Sequence, residues 1–198
     1  KLTDPPKLSV FVADDIEDWR RISGNDFWVT HYTVGRSIFI QPISTLFRRT
    51  LAGHVVYASI AEAFIDEKTH GRVPRWFREG LASYLAEEGF EHLSFMVEFR
   101  ARDLPVLMTP AEVERHVYPL VDRTMGRIAR YNAFLMIWYL SERHGFDDVV
   151  AVLDRVGAGA DFEDALEEVY GVDDDELIAS LDPTVNGEPT TTRPGHPN

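Results

Sequence analysis

The stretch VPRWFREGLASYLAEE, residues Val73 to Glu88, predicts an amphipathic helix and is the most informative segment of the chain. Pro74 suits the first turn of a helix, where the missing N–H costs nothing. The apolar residues after it recur at helical spacing, and the predicted inner face consists of Trp76, Phe77, Leu81, Tyr84 and Leu85. A glycine inside a helix costs up to about 1 kcal/mol relative to alanine. We therefore interpret Gly80 as a position where the backbone of another segment comes close.

A longer helix is predicted upstream, over about residues 43–64. Apolar side chains recur there at helical spacing, at Ile43, Phe47, Leu51, Val55, Ala58 and Ile65. Residues 66–73 carry several charges and predict a loop that joins this helix to the one at Pro74. The two helices are therefore expected to be neighbours in space.

The second half of the chain predicts further helices. Thr109 and Glu112 have the spacing of a capping box. A long helix is predicted over residues 122–144, where Gly145 ends it. Shorter helices are predicted to begin at Asp147, Asp161 and Asp173, since an acidic residue stabilises a helix N-terminus. The glycines and alanines of residues 157–160 predict a loop between them.

The N-terminal part predicts a small sheet. Residues 7–13 alternate polar with apolar side chains, as a strand does, and residues 14–22 predict a short helix closed by Gly24. Residues 26–34 and 36–41 are rich in aromatic and β-branched residues, which predicts two strands in a hairpin-like arrangement. A small sheet followed by a mainly helical part is the α+β class.

Composition limits the classes of function. The 198 residues are predicted to form one domain over residues 1–181, followed by a low-complexity tail over residues 182–198. The net charge of −13 repels phosphate backbones, so we expect no nucleic-acid partner. No apolar run is long enough to predict a membrane span. The chain has no cysteine, which excludes disulfides, thiolate metal sites and cysteine nucleophiles.

The helix at residues 73–88 resembles the P-x-W-x-x-E-G-L-A-x-Y helix of the peptidase MA-like zinc metallopeptidases, the gluzincins. In that family the glutamate of this helix is the third zinc ligand, a position that Glu79 occupies here, and an upstream helix supplies an HExxH motif. GRSIFI at residues 35–40 is similar to the family's strand at the cleft edge, and YLSERHG at residues 139–145 to a later helix. The resemblance spans about residues 7–181 and implies a zincin-like fold.

The zinc motif of the family is broken in this chain. In that motif two histidines one turn apart hold the ion, and a glutamate between them activates the bound water. Aligned on His54, the chain has H-V-V-Y-A, with Ala58 at the second histidine. Aligned on the flanking residues, it has G-H-V-V-Y, with Gly53 and Tyr57 at the histidines and His54 at the glutamate. Both registers remain open at this point.

Substitute ligands are few. None of the residues three or four positions from His54 is a good zinc ligand, and Glu62 lies about 12 Å further along the helix axis. His31 and His70 lie on a predicted strand and loop, from which either could turn toward the site. The sequence therefore predicts no metal and no other cofactor. The alternative is a zinc-dependent hydrolase with an unconventional ligand set of His54, Glu79 and one of these two histidines.

We interpret His54 as a half-buried histidine with one hydrogen bond, to Glu79 if the helices pack as in the family. A buried carboxylate is costly unless a cation, donors or a proton neutralises it. We expect the cation to come from Arg72, Arg75 or Arg78, or Glu79 to be protonated.

The resemblance implies a peptidase-like domain without catalytic activity that binds a protein or peptide or has a structural role. Tyr57 is interpreted as bulk that fills the place of the ion, and Tyr131 as a packing residue. The side chains expected to line a cleft are Phe39, His54, Tyr57, Trp76, Glu79 and Tyr131. The sheet edge at Phe39 is the predicted place for a peptide to add as a strand. Members of the family are often exported or membrane-attached, which favours an extracytoplasmic location.

Overall fold

The structure is a computed structural model that describes residues 7–25, 27–89, 108–117 and 122–171. Three short strands come first and are followed by a mainly helical part, which confirms the predicted α+β class. In chain order the elements are β1 (Ser9–Val12), α1 (Ile16–Ser23), β2 (His31–Val34), β3 (Ser37–Ile40), α2 (Ile43–Arg48), α3 (Ala52–Thr69), α4 (Arg75–Gly89), α5 (Pro110–Val117), α6 (Arg123–His144), α7 (Phe146–Ala158) and α8 (Phe162–Tyr170).

The three strands form one sheet in the order β1-β3-β2. β2 and β3 make the predicted antiparallel hairpin, and β1 pairs with β3 in parallel after the chain has passed through α1. β3 is therefore the central strand, and the prediction that Phe39 lies at a sheet edge is wrong. Its ring stacks instead between Phe11, at 4.9 Å between centroids, and Tyr32, at 4.6 Å.

The helix predicted over residues 43–64 is two helices. α2 ends at Arg48, and Thr50 has a φ of 56°, a left-handed conformation that a β-branched residue rarely adopts. The apolar periodicity hid this break because Phe47, which we assigned to the buried stripe, is 70% exposed while its neighbour Leu46 is fully buried. α3 starts at Ala52 and runs through half of the predicted charged loop.

The end of α3 is set by burial. Ile65 and Thr69 are buried, and the Thr69 hydroxyl donates to the Ile65 carbonyl at 2.7 Å, so residues 66–68 form another helical turn between them. His70 ends the helix in the left-handed conformation, with a φ of 55°. The loop to α4 is therefore only the residues from 70 to 74.

α4 and α6 cross at Gly80. A β-carbon at this position would lie 2.3 Å from the carbonyl oxygen of Ala133, so the close approach predicted for Gly80 is confirmed. Trp76, Phe77 and Leu81 are buried beside the crossing, as the helical pattern predicted. They belong to the main core, which α3 to α8 build together, whereas a smaller core lies between the sheet, α2 and α3.

The predicted helix ends are mostly confirmed. Thr109 and Glu112 exchange the two hydrogen bonds of a capping box at 2.9 and 3.1 Å. The side chains of Asp122 and Asp161 cap α6 and α8. The loop predicted over residues 157–160 is wrong at its start, because α7 continues to Ala158. The helix predicted at Asp173 and the tail over residues 182–198 lie outside the described residues. Within the described ranges, every helix is too short or too polar to cross a bilayer.

Candidate functional site

The residues that were predicted to line a cleft lie in different surroundings in the structure. Glu79 is buried on α4, and His54 is half-buried on α3. Tyr57 is 50% exposed, so the prediction that it fills the place of an ion is wrong. Tyr57 lies on α3, one turn after Gly53, on a side of the helix that is open to solvent. Trp76 is buried against Phe77 and Phe162 in the main core, so its predicted place in a cleft lining is also wrong.

Tyr131 is a packing residue, as predicted. It is 4% exposed and forms a small hydrophobic cluster with Phe134, Leu135, Trp138 and Tyr84. The rings of Tyr131 and Phe134 stack with centroids 6.4 Å apart.

A buried hydrogen-bonded pair joins the sheet to α3. His31 Nε2 lies 3.0 Å from Glu62 Oε1, and His31 Nδ1 lies 3.2 Å from the Thr30 hydroxyl. Both side chains are over nine-tenths buried. Burial by itself would raise the pKa of Glu62, but His31, with Arg78 beside it, holds that pKa below its ordinary value. Glu62 is therefore charged, and it fixes β2 on α3.

A second buried pair joins α4 to α6. Arg130 Nε lies 3.5 Å from Glu79 Oε2. Burial raises the pKa of Glu79, and Arg130, which favours the charged form, opposes part of that rise. Of the expected cations Arg72, Arg75 and Arg78, the charge of Arg78 does act on Glu79, and sequence reasoning missed Arg130. Arg72 instead donates to the carbonyls of Thr69 and Gly157.

Arg78 links the two pairs. Its guanidinium donates to Asp66 at 3.1 Å, and its charge acts on Glu62 and Glu79 as well. We call His31, Glu62, Asp66, Arg78, Glu79 and Arg130 the buried ion cluster. It lies between β2, α3, α4 and α6 and contains the residue that the family would use as its third zinc ligand.

His54 borders this cluster. Burial lowers the pKa of His54 to about 4, and electrostatic interactions with His31 and Arg130 add to the effect. The imidazole is therefore neutral at pH 7. The hydrogen bond from His54 to Glu79 stays a prediction.

The low pKa of His54 makes stability depend on pH. Between pH 6.5 and about 4 the unfolded chain protonates this histidine while the folded chain does not, so acidification favours unfolding. We expect His54 to account for a loss on the order of 3 kcal/mol in the free energy of unfolding across this interval. His54→Gln should flatten the pH dependence, as measured by urea unfolding at several pH values.

The matched control for this prediction is His70→Asn, which removes an exposed imidazole and keeps a side chain that tolerates a positive φ. It should retain the wild-type pH dependence. A His54→Gln variant with the same slope as the wild type would show that the imidazole is not desolvated.

The histidines proposed as substitute ligands do not meet at Glu79. His31 does turn inward, but its Nε2 is paired with Glu62. His70 is exposed and lines an open surface pocket with Asp66 and Glu67. Glu67 is itself paired with Arg36 across the pocket rim.

The donor set therefore does not fit a zinc ion. The positions one turn from His54 hold an exposed tyrosine and a buried alanine, and Glu79 is paired with Arg130. Across the four described ranges, the structure has no group of three or more histidine and acidic side chains placed to hold a metal. A guanidinium supplies the positive charge next to Glu79.

Sequence reasoning missed Glu62, Asp66 and Arg130 as site residues, and Asp66 was assigned only to the charged loop. Glu62 stands on the same face of α3 as His54 and Ala58, at four-residue spacing, among buried neighbours. Arg130 stands between the buried Ala129 and Tyr131 in α6. A charged residue inside an apolar stripe is the signal that could have found both.

Comparisons of the chain with protein-family models, with curated proteins and with solved structures give no match.

Proposed function

We propose that this chain is a non-catalytic, zincin-like domain that has lost its zinc site and has a binding or structural role. The observation that carries the proposal is the pairing of Glu79 with Arg130. A carboxylate that serves as a metal ligand needs the charge of the ion, and here a guanidinium takes that place. The chain itself thus places a cation within ion-pair distance of the glutamate of the E-G-L-A-x-Y helix, although the buried Arg130 Nε makes no hydrogen bond.

The arrangement of α3 and α4 supports the zincin-like part of the proposal. In the family that the sequence resembles, the helix with the glutamate packs beside the helix with the histidines. Here α3 and α4 pack against each other, and Glu79 and His54 both lie beside Arg130. Of the two registers, the one aligned on His54 puts its two ligand positions, His54 and Ala58, on the side of α3 that carries Glu62.

The carboxylates found among the described residues support the non-catalytic part. A zincin cleaves peptides with a metal-held water and a carboxylate base. Burial raises the pKa of Glu79 and Arg130 opposes part of that rise, while the pair with His31 holds Glu62. Neither carboxylate lies next to His54 in the helix, which is where an HExxH motif has its glutamate.

The positions of the aromatic residues favour a structural or surface-binding role over binding in a cleft. A groove lined by Phe39, Tyr57 and Trp76 would have indicated a retained peptide site. Instead Trp76 is in the core, Phe39 stacks with Phe11 and Tyr32, and Tyr57 projects to solvent.

Zinc content tests the loss of the metal site. After incubation with a zinc salt and removal of free metal, we expect elemental analysis to find far less than one zinc per chain. We also expect no cleavage of a general peptidase substrate. Stoichiometric zinc that is lost in Glu79→Ala and retained in Glu163→Ala, a change at an exposed glutamate, would contradict the proposal and favour the hydrolase.

Restoring the motif tests the zincin-like arrangement. Two variants represent the two registers: Ala58→His alone, and Gly53→His, His54→Glu and Tyr57→His together. Each is made with Arg130→Ala, because that frees Glu79. We expect one of them to bind one zinc and to lose it when Glu79→Ala is added. If both keep the wild-type circular dichroism and neither binds zinc, the helices are not arranged as in a zincin.

A further inference from the structure

β1 is an edge strand with an open hydrogen-bonding edge. Ala13, directly after β1, donates its N–H to the Ile40 carbonyl of β3 at 3.0 Å. Successive residues of a strand direct their backbone groups to alternate edges, so the N–H and C=O groups of Val10 and Val12 point away from β3. Among the described residues, the sheet has no strand beyond β1. Val10 and Val12 are 53% and 46% exposed, which agrees with an open edge.

This edge lacks the features that prevent edge strands from pairing. Proteins protect exposed edges with charged residues, proline or a bulge, because a row of unpaired N–H and C=O groups is a template for another strand. The strand reads S-V-F-V, and its one-to-one pairing with β3 includes no bulge. All four residues are exposed. β1 is therefore suited to pair with a further strand.

A row of stacked aromatic rings ends at β1. On one face of the sheet the ring of Tyr32 on β2 stacks on Phe39 of β3, and Phe39 stacks on Phe11 of β1, with interplanar angles of 4° and 15°. Phe11 is the last ring of this row on the open side and is 48% exposed. Aromatic pairs on neighbouring strands stabilise a sheet, so an aromatic residue beside Phe11 would continue the row.

We propose that β1 pairs antiparallel with β1 of a second copy of this chain, so that the two sheets join into one sheet of six strands. In such a pair, residues whose backbone groups point outward must face each other. A pairing centred on Phe11 satisfies this rule, because Val10 of each copy lies opposite Val12 of the other. The two Phe11 residues then face each other at a position without hydrogen bonds, where Cα atoms are about 4.5 Å apart. The strand thus supplies its own aromatic partner.

Charge complementarity favours the register centred on Phe11. In this register Lys7 of each copy lies opposite Asp15 of the other, and both side chains are exposed. The segment from Lys7 to Asp15 is symmetric about Phe11, and α1 begins directly after it. Registers centred on Val10 or Val12 would place Lys7 opposite a buried alanine or a residue inside α1. A second copy is favoured over an unrelated peptide because the segment is complementary to itself.

The proposed pairing leaves the buried ion cluster untouched. That cluster meets the sheet at β2, whereas β1 is at the opposite edge of the sheet. The inference therefore does not depend on the proposed function. A single pair of strands buries less surface than a standard interface, and two chains of net charge −13 repel each other. We therefore expect a weak dimer, with a dissociation constant of about 10 µM to 1 mM at physiological salt.

Sedimentation equilibrium of the whole chain, at concentrations up to about 1 mM, measures this dimer. Val10→Pro removes an outward N–H from each copy, and so two hydrogen bonds of the pair, without removing a donor to β3. We expect it to raise the dissociation constant by about tenfold or more. Val10→Thr is the matched control, since it keeps the N–H and the β-branched shape, and it should change the dissociation constant by no more than about twofold.

Two outcomes of this experiment would overturn the proposal. The first is a wild-type chain that stays monomeric at every concentration. The second is a dimer that Val10→Pro leaves as tight as the wild type while the circular dichroism is unchanged, because another surface would then hold the two copies together.

Cysteine cross-linking tests the register, because the chain has no cysteine of its own. Phe11→Cys places two thiols at the close pair, within the Cα separation that a disulfide spans. Under mild oxidation we expect its covalent dimer to form about tenfold faster than that of Phe47→Cys, which replaces a phenylalanine that is 70% exposed on α2. Val10→Cys should cross-link no faster than Phe47→Cys, because its two thiols are diagonal to each other in this register.

Equal rates for Phe11→Cys and Phe47→Cys on a non-reducing gel would overturn the proposal, since β1 would then be open or paired with something other than a second β1. Faster cross-linking of Val10→Cys than of Phe11→Cys would also overturn it, because the strands would then pair in another register.

Discussion

Gly80→Ala is expected to destabilise the protein strongly. The added β-carbon would lie 2.3 Å from the Ala133 carbonyl oxygen and 2.7 Å from its carbon, so α4 and α6 must move apart. Overpacking of this kind costs about 1–3 kcal/mol and sometimes more, and the contact here is with backbone, which cannot rotate away. The gain in helix propensity, up to about 1 kcal/mol, offsets only part of it. Urea unfolding measures the net loss.

Ser83→Ala is the control for this change, because it makes an alanine on the same helix where the side chain is only half-buried. We expect it to change the free energy of unfolding by no more than about 0.5 kcal/mol. A Gly80→Ala variant as stable as the wild type would mean that the two helices are further apart than the structure has them.

Substitutions that break the His31–Glu62 pair are also expected to lower the free energy of unfolding strongly. His31→Leu and Glu62→Leu each leave one buried polar partner without the other, which costs about 3–5 kcal/mol. The double variant removes both polar groups, so its loss is expected to be much smaller than the sum of the two single losses. The four proteins form a double-mutant cycle that chemical unfolding can measure.

The exposed pair of Arg36 and Glu67 provides the comparison. It also joins the sheet to α3, but water surrounds it, so leucine at either position should cost only a small fraction of the loss at the buried pair. Additive losses for His31→Leu and Glu62→Leu would contradict the pairing of these two side chains in solution.

The elements with local signals could be predicted from the sequence. Gly80 inside a helical pattern indicated a close crossing, and the spacing of Thr109 and Glu112 indicated a capping box, because each depends on residues close together in the chain. The break at Thr50 could not be predicted. Phe47 continues the apolar spacing across it, and only the tertiary structure shows that this ring faces solvent.

The order of the strands and the partners within the buried ion cluster could not be predicted either, because both depend on contacts between residues that are distant in the sequence. Whether β3 is central depends on the parallel pairing of β1, which is set by contacts distant in the sequence. The sequence predicts a cation for Glu79 among the arginines on its own helix and the preceding loop, yet Arg130, which lies 3.5 Å from it, comes from α6. Helical spacing identifies the face of a residue but not which distant side chain lies opposite.

The tie between Glu79 and Arg130 also limits how this part of the molecule can change over evolutionary time. Loss of the arginine alone would strand a carboxylate in the interior, and loss of the glutamate alone would strand a guanidinium. A substitution at either position alone is therefore destabilising. In descendants of this gene we expect the two positions to be replaced together, most simply by a pair of aliphatic residues.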